Sequence, residues 1–249
     1  MGTDNQCSTR PVAIVTGGTR GIGAACCRQL AASGFTVGIG YRRHHEKGLS
    51  LLEEEGMEGF LLQADLADTD RVEQMVKEIK ERTGRVDVLV NNAGFSINNI
   101  MAAMKLSDFD RQRSLLRGTW YLVKRVLRLF MLRQRAGRII NISSVTAFTG
   151  NAGQIPYTME KAALDAMTRS LSKELAGRNI LINSVAPGFI DTDMTRSLPE
   201  AVGEALLAAI PLQRMGTPDE VAEVVAFLAT RGGYINGSVL HVNGGMYGG

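Results

Sequence analysis

No apolar run in this 249-residue chain approaches the ~20 consecutive positions needed to cross a bilayer. Cysteine is scarce. Cys26 and Cys27 are adjacent and Cys7 lies in a polar N-terminal stretch, so neither a disulfide framework nor metal-site spacing is visible. Met1 to Arg10 is polar and has no apolar stretch of the secretory kind. Together with the odd cysteine count, this points to a reducing, cytoplasmic compartment. Excess charge is also missing. A net +3 is too little for wholesale nucleic-acid binding, in which basic residues crowd one face. No repeat, low-complexity tract or linker-like shift in composition interrupts the chain.

What is present suffices for one substantial core, since 45% of the residues are hydrophobic. The expectation is a polar tail over 1–10 followed by a single domain over 11–249. Short apolar runs read as strands at Val12–Val15, Thr36–Ile39, Gly59–Gln63, Val86–Val90, Arg138–Ile142, Ile180–Val185 and Val239–Val242. Helical stretches fall between them, at about Gly21–Ser33, His45–Glu55, Asp68–Arg82, Phe109–Gln134, Tyr157–Ala176 and Pro218–Thr230. This alternation implies βαβ units and an α/β fold built on a doubly wound parallel sheet of about seven strands. Ligands of such sheets sit beyond the carboxyl ends of the strands.

The first strand runs into Thr16-Gly17-Gly18-Thr19-Arg20-Gly21-Ile22-Gly23. Glycines at 17, 21 and 23 let the backbone turn tightly and approach a diphosphate, while the next helix offers its N-terminal N–H groups. A bare strand–helix turn is the competing explanation, weakened by the position directly after the first strand. The second strand ends in Gly40-Tyr41-Arg42-Arg43, with no carboxylate before Glu46. NAD sites usually place an acid there for the ribose hydroxyls. Arg42 or Arg43, with Arg20, instead suits a 2′-phosphate, so NADP(H) is expected. Asp65 stands where it reaches adenine or caps the following helix, and the two readings weigh about equally.

Tyr157 and Lys161 are four apart on a helix and share a face. A phenol is a poor acid at neutrality, and an adjacent ammonium favours its ionised form. Ser144, just after a strand, is placed to hydrogen-bond a substrate carbonyl. Alone, the Tyr–Lys pair is a weak signal. Combined with Thr16 to Gly23, Asn91-Asn92-Ala93-Gly94 and Pro187-Gly188 followed by Ile190 and Thr192, it makes the chain resemble the classical short-chain dehydrogenase/reductases over essentially its full length. It looks most like the 3-oxoacyl-carrier-protein reductases, through residues 139–144, 185–195 and 241–247.

That resemblance implies a single-domain Rossmann-type fold and the following roles. Gly17, Thr19, Arg20, Gly21, Ile22 and Gly23 would line the cofactor phosphates and adenosine ribose, with Arg42 near the 2′-phosphate. Asp65 and Leu66 would contact adenine, and Asn92, Ala93 and Gly94 would pack along the cofactor. Pro187, Gly188, Ile190 and Thr192 would hold the nicotinamide end. Tyr157 would protonate the carbonyl, Lys161 would bind ribose and assist the tyrosine, and Ser144 would orient the substrate. Ser143 is assigned no chemistry.

The resemblance further implies a ketone substrate carried as an acyl thioester on an acyl carrier protein, with residues 193–211 as a substrate lid containing Met194, Leu198, Val202 and Leu206. Homodimers or homotetramers would form through the two long helices. Arg133, Arg135, Arg138, Lys173 and Arg178 at the ends of those helices would meet an acidic carrier. One departure stands out. The family's usual asparagine, which supports a water leading from the lysine, falls on Leu115 or Leu116. Another small ketone as substrate, or a non-catalytic NADP-binding scaffold, are the alternatives this leaves open.

Overall fold

The computed structural model describes residues 10–54, 56–196, 203 and 207–248. Its strands are β1 (Val12–Val15), β2 (Thr36–Tyr41), β3 (Gly59–Gln63), β4 (Val88–Asn91), β5 (Gly137–Ile142), β6 (Ile180–Pro187) and β7 (Val239–Val242). They form one parallel sheet in the order β3-β2-β1-β4-β5-β6-β7. β1, β2, β4 and β6 are buried along their whole length, which is why they read as continuous apolar runs. Alternation persists inside that run. Val12 and Ile14 join the core on one face, Ala13 and Val15 the core on the other.

Helices cover both faces: α1 (Gly21–Ala32), α2 (His45–Glu54), α3 (Thr69–Thr83), α4 (Leu106–Val126), α5 (Ile155–Leu175) and α6 (Pro218–Thr230). Met75 of α3, Leu122 of α4 and Leu175 of α5 share the first core. Leu30 of α1 and Val225 of α6 share the second. Local chemistry sets several ends. Asp68 caps α3 by accepting from the N–H groups of Asp70 and Arg71, and Gly84 closes it with φ +67°. Thr217 and Glu220 form a reciprocal capping box on α6.

Some boundaries differ from expectation. β4 starts at Val88 rather than Val86, because Gln134 takes both backbone groups of Val86, accepting from its N–H at 3.0 Å and donating to its carbonyl at 2.9 Å. α5 starts at Ile155, since Pro156 sits in its first turn, where a missing N–H costs nothing. α4 runs on through a π-type turn at Leu127–Met131 to Gln134. The expected second helix reached Glu55, which lies outside the described residues. Leu198, Val202 and Leu206 also lie outside them. Among the described residues, no helix is long and apolar enough to cross a membrane.

The chain runs outward from β1 to β3 and then crosses back to β4 on the other side of β1. The connections diverge beyond the carboxyl ends of β1 and β4 and leave a crevice there.

Candidate active site

Thr16, directly after β1, ties the crevice together. Its Oγ1 accepts from the N–H groups of Asn92 and Ala93, each at 3.0 Å. Asn92 returns two bonds through Nδ2, to the carbonyls of Thr16 at 2.9 Å and Gly17 at 3.1 Å. The Asn92 side chain thus braces the glycine turn, and Ala93 and Gly94 are left to face the cleft. Gly17 has φ +65°, and a Cβ on Gly23 would stand 2.1 Å from the Gly17 carbonyl oxygen. Those contacts hold the turn closed and the N-terminus of α1 open to the cleft, a shape suited to a diphosphate.

The cleft continues past Thr19, Arg20, Gly21 and Ile22 to the end of β2, where Arg42 and Arg43 line it. Arg42 Nη1 lies 3.5 Å from Asp65 Oδ2, with both side chains about two-fifths exposed. Asp65 Oδ1 accepts from the Ala67 N–H at 3.0 Å. Asp65 therefore shapes its own turn, and the helix-capping role belongs to Asp68. Leu66 packs beside it in the cleft wall. A carboxylate facing outward at the end of β2 is absent, and two guanidinium groups stand there instead. This end suits a phosphorylated ribose.

At the opposite end, Pro187, Gly188, Ile190 and Thr192 form the wall. Thr195 orders it, donating to the Ile190 carbonyl at 2.7 Å and accepting from the Thr192 N–H at 2.9 Å. Thr195 is a positioning residue that the sequence reading did not single out. Its only signal was its place three residues beyond Thr192.

Ser144, Tyr157 and Lys161 line the same end of the cleft. Ser144 Oγ accepts from the Thr146 N–H at 3.2 Å and the Thr146 hydroxyl at 3.0 Å. With both lone-pair directions engaged, its own proton is available to a ligand oxygen. Lys161, 3% exposed, donates to the Ile142 carbonyl at 2.9 Å and lies 5.5 Å from the centre of the Tyr157 ring. Ser143 turns away from this group and donates to Asp165 Oδ2 at 2.7 Å.

α5 is held in rotation by a buried polar chain. Asn91 donates to Asn141 at 2.8 Å, Asn141 to Thr168 at 2.8 Å, and Thr168 meets Ser184 at 2.9 Å. Two buried carboxyls flank Lys161. Burial raises the pKa of Glu160, with Lys161 and Gln112 opposing. Burial also raises that of Asp165, opposed by Ser143, Ser184, Arg169 and Lys161. Neither carboxyl was anticipated. Asp165, four residues beyond Lys161, shares its helix face, whereas the pairing of Glu160 with Gln112 depends on what α4 lays against it.

The structure decides between the two leucines. Leu115 is 5% exposed and lines the cleft together with Ile142 and Lys161. Leu116 lies in an outer groove with Arg113, Trp120 and Met167. Of the basic residues at the helix ends, Arg133, Arg135, Lys173 and Arg178 are exposed, while Arg138 is half-buried and donates to the carbonyls of Gly137 and Asn179. Arg138 therefore ties the start of β5 to the turn before β6 rather than joining an outward basic patch. Among the described residues, no three His, Cys, Asp or Glu side chains converge as a metal site would require.

The glycine turn that a Cβ would obstruct, the two-arginine end and the Ser–Tyr–Lys end together fit an extended dinucleotide. The family model described as enoyl-(acyl carrier protein) reductase matches residues 17–247. The 3-oxoacyl-(acyl-carrier-protein) reductase FabG of Staphylococcus aureus is 43% identical over 240 residues, covering 94% of this chain and 97% of that one. Its counterpart in Aquifex aeolicus is 43% identical and that in Pseudomonas aeruginosa 45%, each covering 95% of this chain and 97% of the relative. Among solved structures, a blue fluorescent protein from a metagenomic library, in complex with NADPH, superposes with a TM-score of 0.89 at 37% identity, covering 96% of this chain and 98% of that chain. With a family match over nearly its whole length and relatives of this similarity, the chain belongs to the short-chain dehydrogenase/reductase family.

Proposed function

We propose that the protein reduces a 3-oxoacyl thioester carried on an acyl carrier protein to the 3-hydroxyacyl form, with NADPH as reductant. The observation that carries this reading is one continuous cleft, with Arg42 and Arg43 at one end and Ser144, Tyr157 and Lys161 at the other. The similar carrier-protein reductases and the NADPH-bound neighbour point the same way.

In this reading Gly17, Gly21 and Gly23 give the diphosphate room, Arg42 and Arg20 hold the 2′-phosphate, and Asp65 and Leu66 border the adenine. Ala93 and Gly94 line the middle of the cleft. Pro187, Gly188, Ile190 and Thr192 seat the nicotinamide. NADPH held there would supply the hydride for the carbonyl carbon. The Ser144 hydroxyl donates to the carbonyl oxygen and fixes its direction, and Tyr157 passes its phenolic proton to that oxygen. Lys161, anchored on the Ile142 carbonyl, presents a positive charge to the Tyr157 ring, which favours that proton's departure.

The carrier would meet the exposed Arg133, Arg135, Lys173 and Arg178. The outer groove of α4 and α5 would pair subunits into a homodimer or homotetramer. The reading places the enzyme in the cytoplasm, as one domain over 11–249.

The test is oxidation of NADPH with acetoacetyl-carrier protein, beside NADH, the free thioester and an enoyl thioester. Turnover selective for NADPH and for the carrier-bound ketone is expected. Preference for a free ketone would move the substrate elsewhere in the family. Tight NADPH binding without any turnover would make the protein a scaffold, with Leu115 the first residue to examine.

A further inference from the structure

Glu160 has no role in the reaction just described, yet it lies against the reacting group. Its Oε1 is 3.9 Å from Lys161 Nζ, and both side chains are 4% exposed. Its other oxygen accepts from Gln112 Nε2, and Gln112 is fully buried. Gln112 is itself fixed, donating to the Phe95 carbonyl at 2.9 Å and accepting from the Ile97 N–H at 3.3 Å. The carboxyl therefore sits in a built slot between α4 and α5.

An apolar residue would fill that slot without the penalty of burying a carboxyl. The carboxyl's distinctive property is its charge beside an ammonium. From α4, Leu115 lines the cleft together with Lys161 and is apolar. The remaining charged or titratable neighbours are on α5: Tyr157, Asp165, and Arg169 acting on Asp165. β5 contributes only the Ile142 carbonyl and the Ser143 hydroxyl, and the latter is committed to Asp165.

We propose that Glu160, held by Gln112, is the positioning residue for Lys161, seating its Nζ against the Ile142 carbonyl and beside Tyr157. This rests on the assignment of Tyr157 and Lys161 as the catalytic pair. A carboxylate about 4 Å away holds the ammonium in place by its opposite charge. Without it, Lys161 is free to swing away from the Tyr157 ring, and the chemical step slows.

The experiment is steady-state ketone reduction at pH 7 by Glu160→Gln, which keeps the shape and the contact to Gln112. The kcat is expected to fall by about tenfold while the KM for the ketone stays within about twofold, because Ser144 is untouched. An unchanged kcat, or a loss confined to KM, overturns the proposal and leaves Glu160 a structural residue. Glu160→Asp keeps the charge but withdraws it, and a smaller fall in kcat is expected. A fall as large as that of Glu160→Gln overturns the proposal. Tyr157→Phe is run alongside. Retained turnover in that variant overturns the catalytic assignment and this proposal with it, whereas lost turnover with an unchanged Glu160→Gln kcat overturns this proposal alone.

Discussion

Arg42 shows how little a residue's contacts need to change for it to bind a ligand. Its ion pair with Asp65 is long, at 3.5 Å, and both partners are about two-fifths exposed. Such pairs contribute about 0–1 kcal/mol, so the guanidinium is readily redirected to a phosphate, where charge-assisted bonds are stronger. Arg42→Ala is expected to weaken NADPH binding by about tenfold or more while changing NADH by less than about twofold. Fluorescence titration with both cofactors reads this directly, and equal losses would remove Arg42 from the 2′-phosphate site. The residue type and its place after β2 were legible in the sequence. The partnership with Asp65 was not, because β2 and β3 are joined only by the register of the sheet.

The start of α6 illustrates an element whose stability is set by a few polar atoms. Thr217 Oγ1 accepts from the Glu220 N–H at 3.2 Å, and Glu220 returns a bond to the Thr217 N–H at 2.8 Å. Arg214 adds two contacts to the same carboxylate, at 3.0 and 2.6 Å. The Arg214 hydrogen bond, followed by the backbone bond from Thr217, pulls the Glu220 pKa down from 4.5 to about 2. A depressed carboxylate stabilises the fold above its unfolded pKa and loses that contribution as pH falls through the folded value. Glu220→Gln should therefore lower the melting temperature at pH 7, and the gap from the unmodified protein should close between about pH 4.5 and 2. A gap that persists at pH 2 would mean that shape, not charge, is at work. Thr217→Ala removes the cap itself and should cost about 1 kcal/mol in denaturant unfolding. The threonine–glutamate spacing was readable in the chain, whereas the Arg214 clamp depended on the turn that precedes it.

On the scale of the whole molecule, the outer groove of α4 and α5 leaves apolar side chains exposed among polar ones. Trp120 is 52% exposed, and it shares the outer groove of α4 and α5 with Leu116, Ala163 and Met167. Met159 of α5, also 52% exposed, stands on the outer side of the same helix. Exposed apolar surface of this kind usually marks an interface. Trp120→Glu is expected to shift sedimentation to a smaller species, by placing a charge where a second copy would pack. An unchanged sedimentation coefficient would move the subunit contact to another face.

The succession of strands and helices along the chain, the glycine turn and the Tyr157–Lys161 pair followed from the chain itself, because each depends on short-range periodicity or on residues a few positions apart. The face of α4 presented to the cleft did not. Leu115 and Leu116 are adjacent, and the packing of α4 decides between them, with Gly118 so close to Leu66 that a Cβ would come within 1.5 Å of the Leu66 carbonyl oxygen. The same rotation brings Gln112 to Glu160, although 48 residues separate them. Sequence spacing determined which groups share an element. The contact between α4 and α5, made by side chains far apart in the chain, decided which of those groups meet Lys161.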